Sequence, residues 1–324
     1  MGKLVRSMDW SSTPLGSLDA WPDSLRTTVS LALASNFPIS IAWGPERVQI
    51  YNDGYWPICG AKHPRSMGQD FKECWLSAWP AIGDAFESAS AGRTAFLENQ
   101  RMFLDRHGYL EETFFTFSFS PIRDETGSVA GLFHPVTEMT LQTLAERRLG
   151  VLREISLETA DALSVETAAT LVGKTLTRHP LDVPFALLYL ADGAGSEYRL
   201  AAAAGLEAGT PAAPRTLSAR ADSGWPVGVA ASRDGAVEIE HLEERFGPLG
   251  CGPYPESPRR AVILAVSVAG VAQPLGFLIA GASPRRAFDA PYRTFFAMLQ
   301  ETVTNVLVKA RSYQEERRRA EKLA

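Results

Sequence analysis

The sequence predicts an α+β protein of two domains, each an antiparallel sheet with flanking helices, the two joined and followed by long amphipathic helices. Three observations predict it. At 324 residues the chain exceeds one compact core of ordinary size. Its strand-like runs fall into two groups, with an amphipathic helical stretch at residues 137–164 between them. In the first group, two short strands, a helical middle and three long strands suit an antiparallel sheet with helices on one face.

The first helix is "WPDSLRTTVSLALAS", with Leu25, Val29 and Leu33 on one face and Pro22 near its first turn. Two short strands follow, "ISIAW" and "VQIYN", around the turn "GPER". Residues 55–92 read as helical and irregular, broken by Pro57, Pro64 and Pro80. Then come "AFLENQRMFL", "LEETFFTFSFS" and "SVAGLFHPV". Phe115, Phe117 and Phe119 alternate with Thr116, Ser118 and Ser120, the period of a strand with one face in a core. Asp124, Glu125, Thr126 and Gly127 make the hairpin loop, and Pro121 is expected to end the regular pairing because it has no N–H to give.

In residues 137–164, Leu141, Leu144, Ala145, Leu149, Leu152 and Ile155 form one stripe, with Glu146, Arg147, Arg148, Arg153 and Glu154 on the remainder. The second group opens with the helix "SVETAATLVGKTLTRH", then the strands "PFALLYLAD" and "EYRLAAAAG" around the turn "GAGS". "GWPVGVAASRDG" reads as a short helix, "AVEIEHL" as a strand, and "RRAVILAVSVAG" and "PLGFLIAG" as a last pair turning near "GVAQ". From Asp289 on there is one long helix, in which Leu299, Val303, Val306, Ala310 and Tyr313 recur at spacings of 4 and 3, a coiled-coil seam. Its end at Ala324 shows no cap or breaker, as expected of a helix that continues.

Composition narrows the function. A formal net charge of -5 gives no support to nucleic-acid binding. No segment reaches the roughly 20 apolar residues of a membrane span, no secretory signal opens the chain, and a cytoplasmic setting is expected. Cys59, Cys74 and Cys251 are too scattered for a disulfide framework or a zinc site. No phosphate-cradling glycine loop, His-Glu-x-x-His, Cys-x-x-Cys or nucleophile elbow is present, so no catalytic residue is assigned.

Single residues favour structural roles. His63 in "KHPRSMG" reads as part of a surface turn, and His107 and His134 lie near strand ends with no second ligand at metal spacing. Cys74 reads as a small buried hydrophobe. Glu111 and Glu112 are adjacent and point to opposite faces of a strand, so they form no acid/base pair. Trp43, Tyr51, Tyr55, Trp56, Trp75, Phe117 and Phe119, with Cys74 among them, are the candidates to line a pocket for a flat ligand, and an ordinary filled core explains the same residues.

"MDWSSTPLGSLDAWPDSLRTTVSLALAS", "GPERVQIYNDGYWPICGAKHPRSMGQDFKECW" and "GYLEETFFTFSFSPIRDETGSVAGLFHPVTE" resemble the PAS domains at the N-terminus of bacterial sensor histidine kinases. Residues 166–305 resemble a GAF domain, and "YQEERRRAEKLA" resembles the helix leading into the dimerisation and phosphoacceptor region of such kinases. The resemblance implies a PAS domain at 1–138, a signalling helix at 139–164, a GAF domain at 165–290 and a coiled-coil helix at 291–324. It also implies a sensory input module, a homodimer, a kinase core beyond the chain and a response regulator downstream. The dimer helices would meet through Leu141, Leu144, Leu149, Leu152, Leu299, Val303, Val306 and Ala310. The flavin relatives' Asn-Cys-Arg motif is missing and Cys251 is not followed by His, so flavin, haem and bilin are not expected and the signal stays open, a small-molecule ligand included. Other outputs (a serine phosphatase or a nucleotide cyclase) and a free-standing ligand or redox sensor are the alternatives.

Overall fold

The alternating aromatics of residues 112–120 stand on the central part of the first sheet. The computed structural model describes residues 1–192, 197–220, 224–232, 235–268, 271 and 273–323. It has a first unit, Met1–Leu144, and a second that starts at Ala145. The turn expected at 193–196, part of the one at 270–273, and Ala324 lie outside the described residues.

The first unit runs α1 (Gly2–Ser7), α2 (Asp23–Ala34), β1 (Ile39–Trp43), β2 (Val48–Tyr51), α3 (Trp56–Cys59), α4 (Phe71–Cys74), α5 (Trp79–Ser90), β3 (Ala95–Leu104), β4 (Glu111–Arg123) and β5 (Val129–Glu138), and α6 (Thr140–Glu158) leaves it. The strands form one antiparallel sheet in the order β2-β1-β5-β4-β3. Phe115, Phe117 and Phe119 are buried, whereas Thr116, Ser118 and Ser120 are half-buried, as their alternation requires. Gly127 closes the hairpin at φ +86, and the Asp124 carboxylate accepts from the N–H groups of Thr126 and Ser128.

Pro121 does not end the pairing. It faces Leu132 within β4, which continues to Arg123. The ladder with β3 stops at the Ala95–Phe119 pair, so beyond it β4 has a neighbour on one side only, and an edge tolerates a residue without an N–H.

Asn52 organises the loop after β2. Its Oδ1 accepts from the N–H of Ile39 and of Tyr55, each at 3.0 Å. Its Nδ2 lies 2.9, 2.9 and 2.7 Å from the carbonyls of Ala32, Ser35 and Phe37. One buried side chain thereby serves the end of α2, the start of β1 and the approach to α3.

The second unit contains α7 (Val165–Thr177), β6 (Ala186–Ala191), β7 (Glu197–Ala204), β8 (Thr216–Ser218), α8 (Val227–Ser232), β9 (Val237–Ile239), α9 (Leu242–Phe246), β10 (Ala261–Val266), β11 (Gly276–Gly281) and α10 (Ala290–Leu323). Its antiparallel sheet has the order β8-β7-β6-β11-β10-β9. Every residue of β10 and β11 is buried, because both faces of the sheet are covered. Val262, Leu264 and Leu278 share one core with α7, α10 and residues 151–155 of α6. Ile263, Phe277 and Ile279 share the other with Trp225, Val227 and Leu242. The expected strand "AVEIEHL" is shorter than its wording, since His241 turns to φ +56 and starts α9.

Several of the residues expected at a dimer seam pack within the chain itself. Leu152, Leu299, Val303 and Ala310 lie in the second unit's own core, together with Val151, Ile155 and Leu307. Leu144 is buried too, Val306 is half-buried, and Leu141 and Leu149 are exposed. A sheet with a free face uses the same heptad-like spacing that a second helix would, so the pattern did not identify its partner. A buried Leu at such a site contributes about 1.5–3 kcal/mol, and Glu at Leu152 would unfold the unit rather than separate two copies. Past Ala310 the grip ends: none of residues 311–322 is buried, and the pairs Arg311–Glu315 and Arg317–Glu321 lie along this exposed stretch.

Replacing Asn52 with Ala leaves several buried backbone groups without partners. Urea unfolding followed by tryptophan fluorescence is expected to show the first unit destabilised by about 3 kcal/mol. A loss below about 0.5 kcal/mol, the range of a neutral surface change, would show that the loop is held by other means.

Candidate functional site

A cavity of about 30 Å³ lies within the first unit, lined from the inner face of the sheet and from α3, α4 and α5. Ile58, Ile82, Met102, Leu104 and Val136 supply its aliphatic wall, and Tyr55, Phe71, Trp75, Phe115 and Phe117 its aromatic wall. One imidazole, that of His134, completes the lining. A water needs roughly 10–15 Å³ and benzene fills an engineered cavity of about 150 Å³. The closed cavity therefore suits a ligand of very few heavy atoms, and a flat ring system enters only if the walls part.

His134 was read in the sequence as a residue near a strand end without a role. It stands instead at the centre of the aromatic cluster, stacked on Phe119 with ring centres 4.4 Å apart and edge-on to Phe117, Phe71 and Tyr55. Its signal was available: Leu132 and Val136, two residues to either side, are the inward positions of the same strand. Desolvation pushes its pKa down to about 4, so the ring is neutral at pH 7. Its Nδ1 lies 3.1 Å from the carbonyl oxygen of Ser118, which can only accept. Nδ1 thus carries the proton, and Nε2 is left as a lone-pair acceptor on the ring that lines the cavity.

The eight residues proposed from the sequence do not form one pocket. Tyr55, Trp75 and Phe117 meet at the cavity, and Phe119 backs His134. Tyr51 belongs to a polar chain, its hydroxyl 2.8 Å from His63 Nδ1 and 2.9 Å from Ser66 Oγ. His63 is accordingly half-buried and tied to the core, more than a surface turn, and desolvation lowers its pKa. Trp56 is exposed and packs on His63 with centroids 5.1 Å apart. Trp43 lines a separate groove of about 490 Å³, together with Arg47 and Glu87.

Cys74 is buried, and Gln49 Nε2 points to its sulfur at 3.7 Å while Trp75 Nε1 donates to Gln49 Oε1 at 2.7 Å. Burial pushes the thiols of Cys59, Cys74 and Cys251 up to about 12, 11 and 11. All three are protonated at neutral pH and poor nucleophiles. Among the described residues no group of His, Cys, Asp or Glu could hold a metal ion, and no helix is long and apolar enough to cross a membrane.

Glu111 and Glu112 take separate partners, Arg106 at 2.9 Å and Arg101 at 2.7 Å. Arg106 is buried and also grips Glu138 with both terminal nitrogens, at 2.8 and 2.7 Å. Glu138 ends β5 and α6 begins at Thr140. Met139 N donates to the Phe114 carbonyl at 2.7 Å, and Thr140 Oγ1 accepts from Phe114 N at 3.0 Å. The strand that carries His134 and Val136 into the cavity is therefore pinned where it becomes a helix. In the second unit, Trp225 is fully buried, donates from Nε1 to the Ala212 carbonyl at 2.8 Å and packs on Phe246 at 4.6 Å.

No family model matches the chain, and no curated protein matches it. Solved structures similar to it include the GAF domain of a phosphoenolpyruvate-protein phosphotransferase from Coxiella burnetii, 21% identical over 52% of this chain and 96% of that one, with a TM-score of 0.40. Another is the free methionine-R-sulfoxide reductase of Neisseria meningitidis in complex with its substrate, 18% identical over 52% of this chain and 93% of that one, TM-score 0.40. A third is the Stigmatella aurantiaca phytochrome photosensory core module, 13% identical over 88% of this chain and 59% of that one, TM-score 0.38. At these scores the likeness carries no argument about function.

The neutral state of His134 has a measurable pH signature. Its folded pKa of about 4 lies below the ordinary value of 6.5, so its contribution is whole above pH 6.5 and lost as pH falls toward 4. By pH 4 the loss is about 3 kcal/mol. Urea midpoints of wild type and His134→Phe, measured from pH 7 to 4, are expected to diverge, the variant falling less steeply. Parallel curves would mean that His134 is already charged or solvated in the fold.

Proposed function

We propose that the chain is a sensory input module of a two-component signalling protein, a PAS domain followed by a GAF domain that regulate a histidine kinase core. The observation that carries this reading is the continuity of β5 and α6: the strand presents His134 and Val136 to the cavity and, after Glu138 and Met139, becomes a helix. A small ligand that enters, or a cavity that swells, acts on the strand, and the strand acts on the helix through the Arg106–Glu138 grip and the Phe114–Thr140 hydrogen bond. Transmission is then a shift between helix packings of nearly equal free energy.

The ligand is non-covalent and small, held by the apolar walls with Nε2 of His134 as acceptor. A thiol-based redox sensor is disfavoured by three buried, protonated cysteines. The partners in this reading are a second copy of the chain, the kinase core and a response regulator, in the cytoplasm. A homodimer has to use side chains that the chain's own core leaves outside, Leu141 and Tyr313 among them.

Labelled ATP tests the assignment. Residues 1–324 alone are expected to incorporate no phosphate, because phosphate-cradling backbone and a metal-binding group are missing from their sequence. The gene's full reading frame is expected to become labelled on histidine. Labelling of residues 1–324 by themselves, or a full reading frame that adds no kinase, would refute the reading.

A further inference from the structure

Within the second unit, α6 buries Val151, Leu152 and Ile155 but leaves one edge of its apolar stripe, Ala145 and Leu149, exposed. The stripe legible in the sequence runs through Ala145, Leu149, Leu152 and Ile155. Yet Leu149 is 55% exposed and Ala145 is exposed, whereas Arg148, between Ile155 and Leu152 around the helix, is 5% exposed. At about 100° per residue, Val151 and Ile155 lie to one side of Arg148, and Leu152, Ala145 and Leu149 lie progressively further to the other. Burial of Ala145 and Leu149 favours a turn of the helix by some tens of degrees, which brings Leu149 in, moves Val151 outward and releases Arg148 toward water.

A set of polar contacts opposes that turn. Asp182, 1% exposed, accepts from Arg148 Nε at 2.9 Å and from Arg147 Nε at 2.6 Å. The Arg148 guanidinium lies over the Tyr292 ring, 3.9 Å from its centre. The Tyr292 hydroxyl donates to the backbone carbonyl of Asp182 and accepts from Ser283 N at 2.8 Å, which fixes the floor of the site. The arrangement carries a cost, because Nη2 of Arg148 is buried without a hydrogen-bond partner. A buried ion pair with an orphan nitrogen gives little net stability but sets a register.

We propose that Arg148 is a register pin: its bond to Asp182 and its stack on Tyr292 hold α6 at a rotational setting that leaves Ala145 and Leu149 exposed. Removing or unseating the pin lets the helix turn toward burial of Leu149. The inference rests on the geometry of the second unit and stands whatever domain the module controls. Arg147 keeps Asp182 paired when Arg148 is replaced, so a change at residue 148 tests the pin without stranding the carboxylate.

Thiol accessibility reads the rotation directly. The native cysteines are buried and protonated, so an introduced thiol reacts alone. Leu149→Cys and Val151→Cys are each made in the chain of residues 1–324, with Arg148 intact and with Arg148→Met, and reacted with an aromatic disulfide reagent. Arg148→Met is expected to slow the thiol at 149 at least tenfold and to speed the thiol at 151 at least tenfold, with a melting temperature unchanged or raised. Acceleration at both positions would mean that the helix has merely come loose, and unchanged rates that Arg148 sets nothing. Either result, or a change at one position only, overturns the proposal. If Arg148→Met does not fold, Arg148→Leu answers the same question.

Discussion

The first unit depends on the buried carboxamide of Asn52. The segment from the end of β2 to α3 has no ladder of its own, and it meets backbone groups of Ala32, Ser35, Phe37 and Ile39 through Asn52. A carboxamide satisfies them because it both donates and accepts, which neither a carboxylate nor an alkyl side chain can do. Its Oδ1 serves the N–H groups of Ile39 and Tyr55 together, so the start of β1 and one wall of the cavity share a support. The cavity can be nearly all hydrocarbon because the polar demands of the nearby backbone are met at this one point.

Two buried arginines then set how α6 is held, and they differ in kind. Arg106 is well served, with a carboxylate on Nε and a second spanning its two terminal nitrogens. Such a group is costly to disturb, since removing either carboxylate leaves buried guanidinium nitrogens without their partners. Arg148 shares its carboxylate with Arg147 and leaves one nitrogen unserved. The start of α6 is thus fixed firmly to the end of β5, while its course through the second unit is fixed by a compromise. A helix that conveys a signal needs one end that follows its input and another whose setting can be changed.

Much of this was legible in the sequence and some of it was not, for physical reasons. The β4–β5 hairpin declared itself because alternation and turn chemistry agreed over more than twenty residues (112–133). The burial of β10 and β11 was visible in their unbroken apolar runs. His134 was missed because residue type outweighed position: a histidine flanked by Phe133 and Pro135 looks like the end of a strand, though the parity of Leu132 and Val136 placed it inside. Arg148 was assigned to the wet face of α6 because charge normally marks that face, and its partner Asp182 lies 34 residues away with nothing local to announce it. On α6 and α10 the unit's own core covers Leu152, Leu299, Val303 and Ala310, since periodicity records that a face is covered and not by what. Tyr51 and His63 are 12 residues apart in the sequence, and only the fold of the intervening loop brings hydroxyl and imidazole together.

The bare end of α10 has a mechanical consequence. Its last buried residue is Ala310, and none of residues 311–322 is buried. At about 1.5 Å per residue, residues 310–323 extend about 20 Å as a lever arm. A tilt of about 5° at its root would carry the tip nearly 2 Å sideways on that geometry, a displacement comparable to the helix shifts that distinguish the states of known switches. Core rearrangements around Tyr292 and Leu299 too small to open the fold would thus be amplified along an arm that does not need to change its own structure.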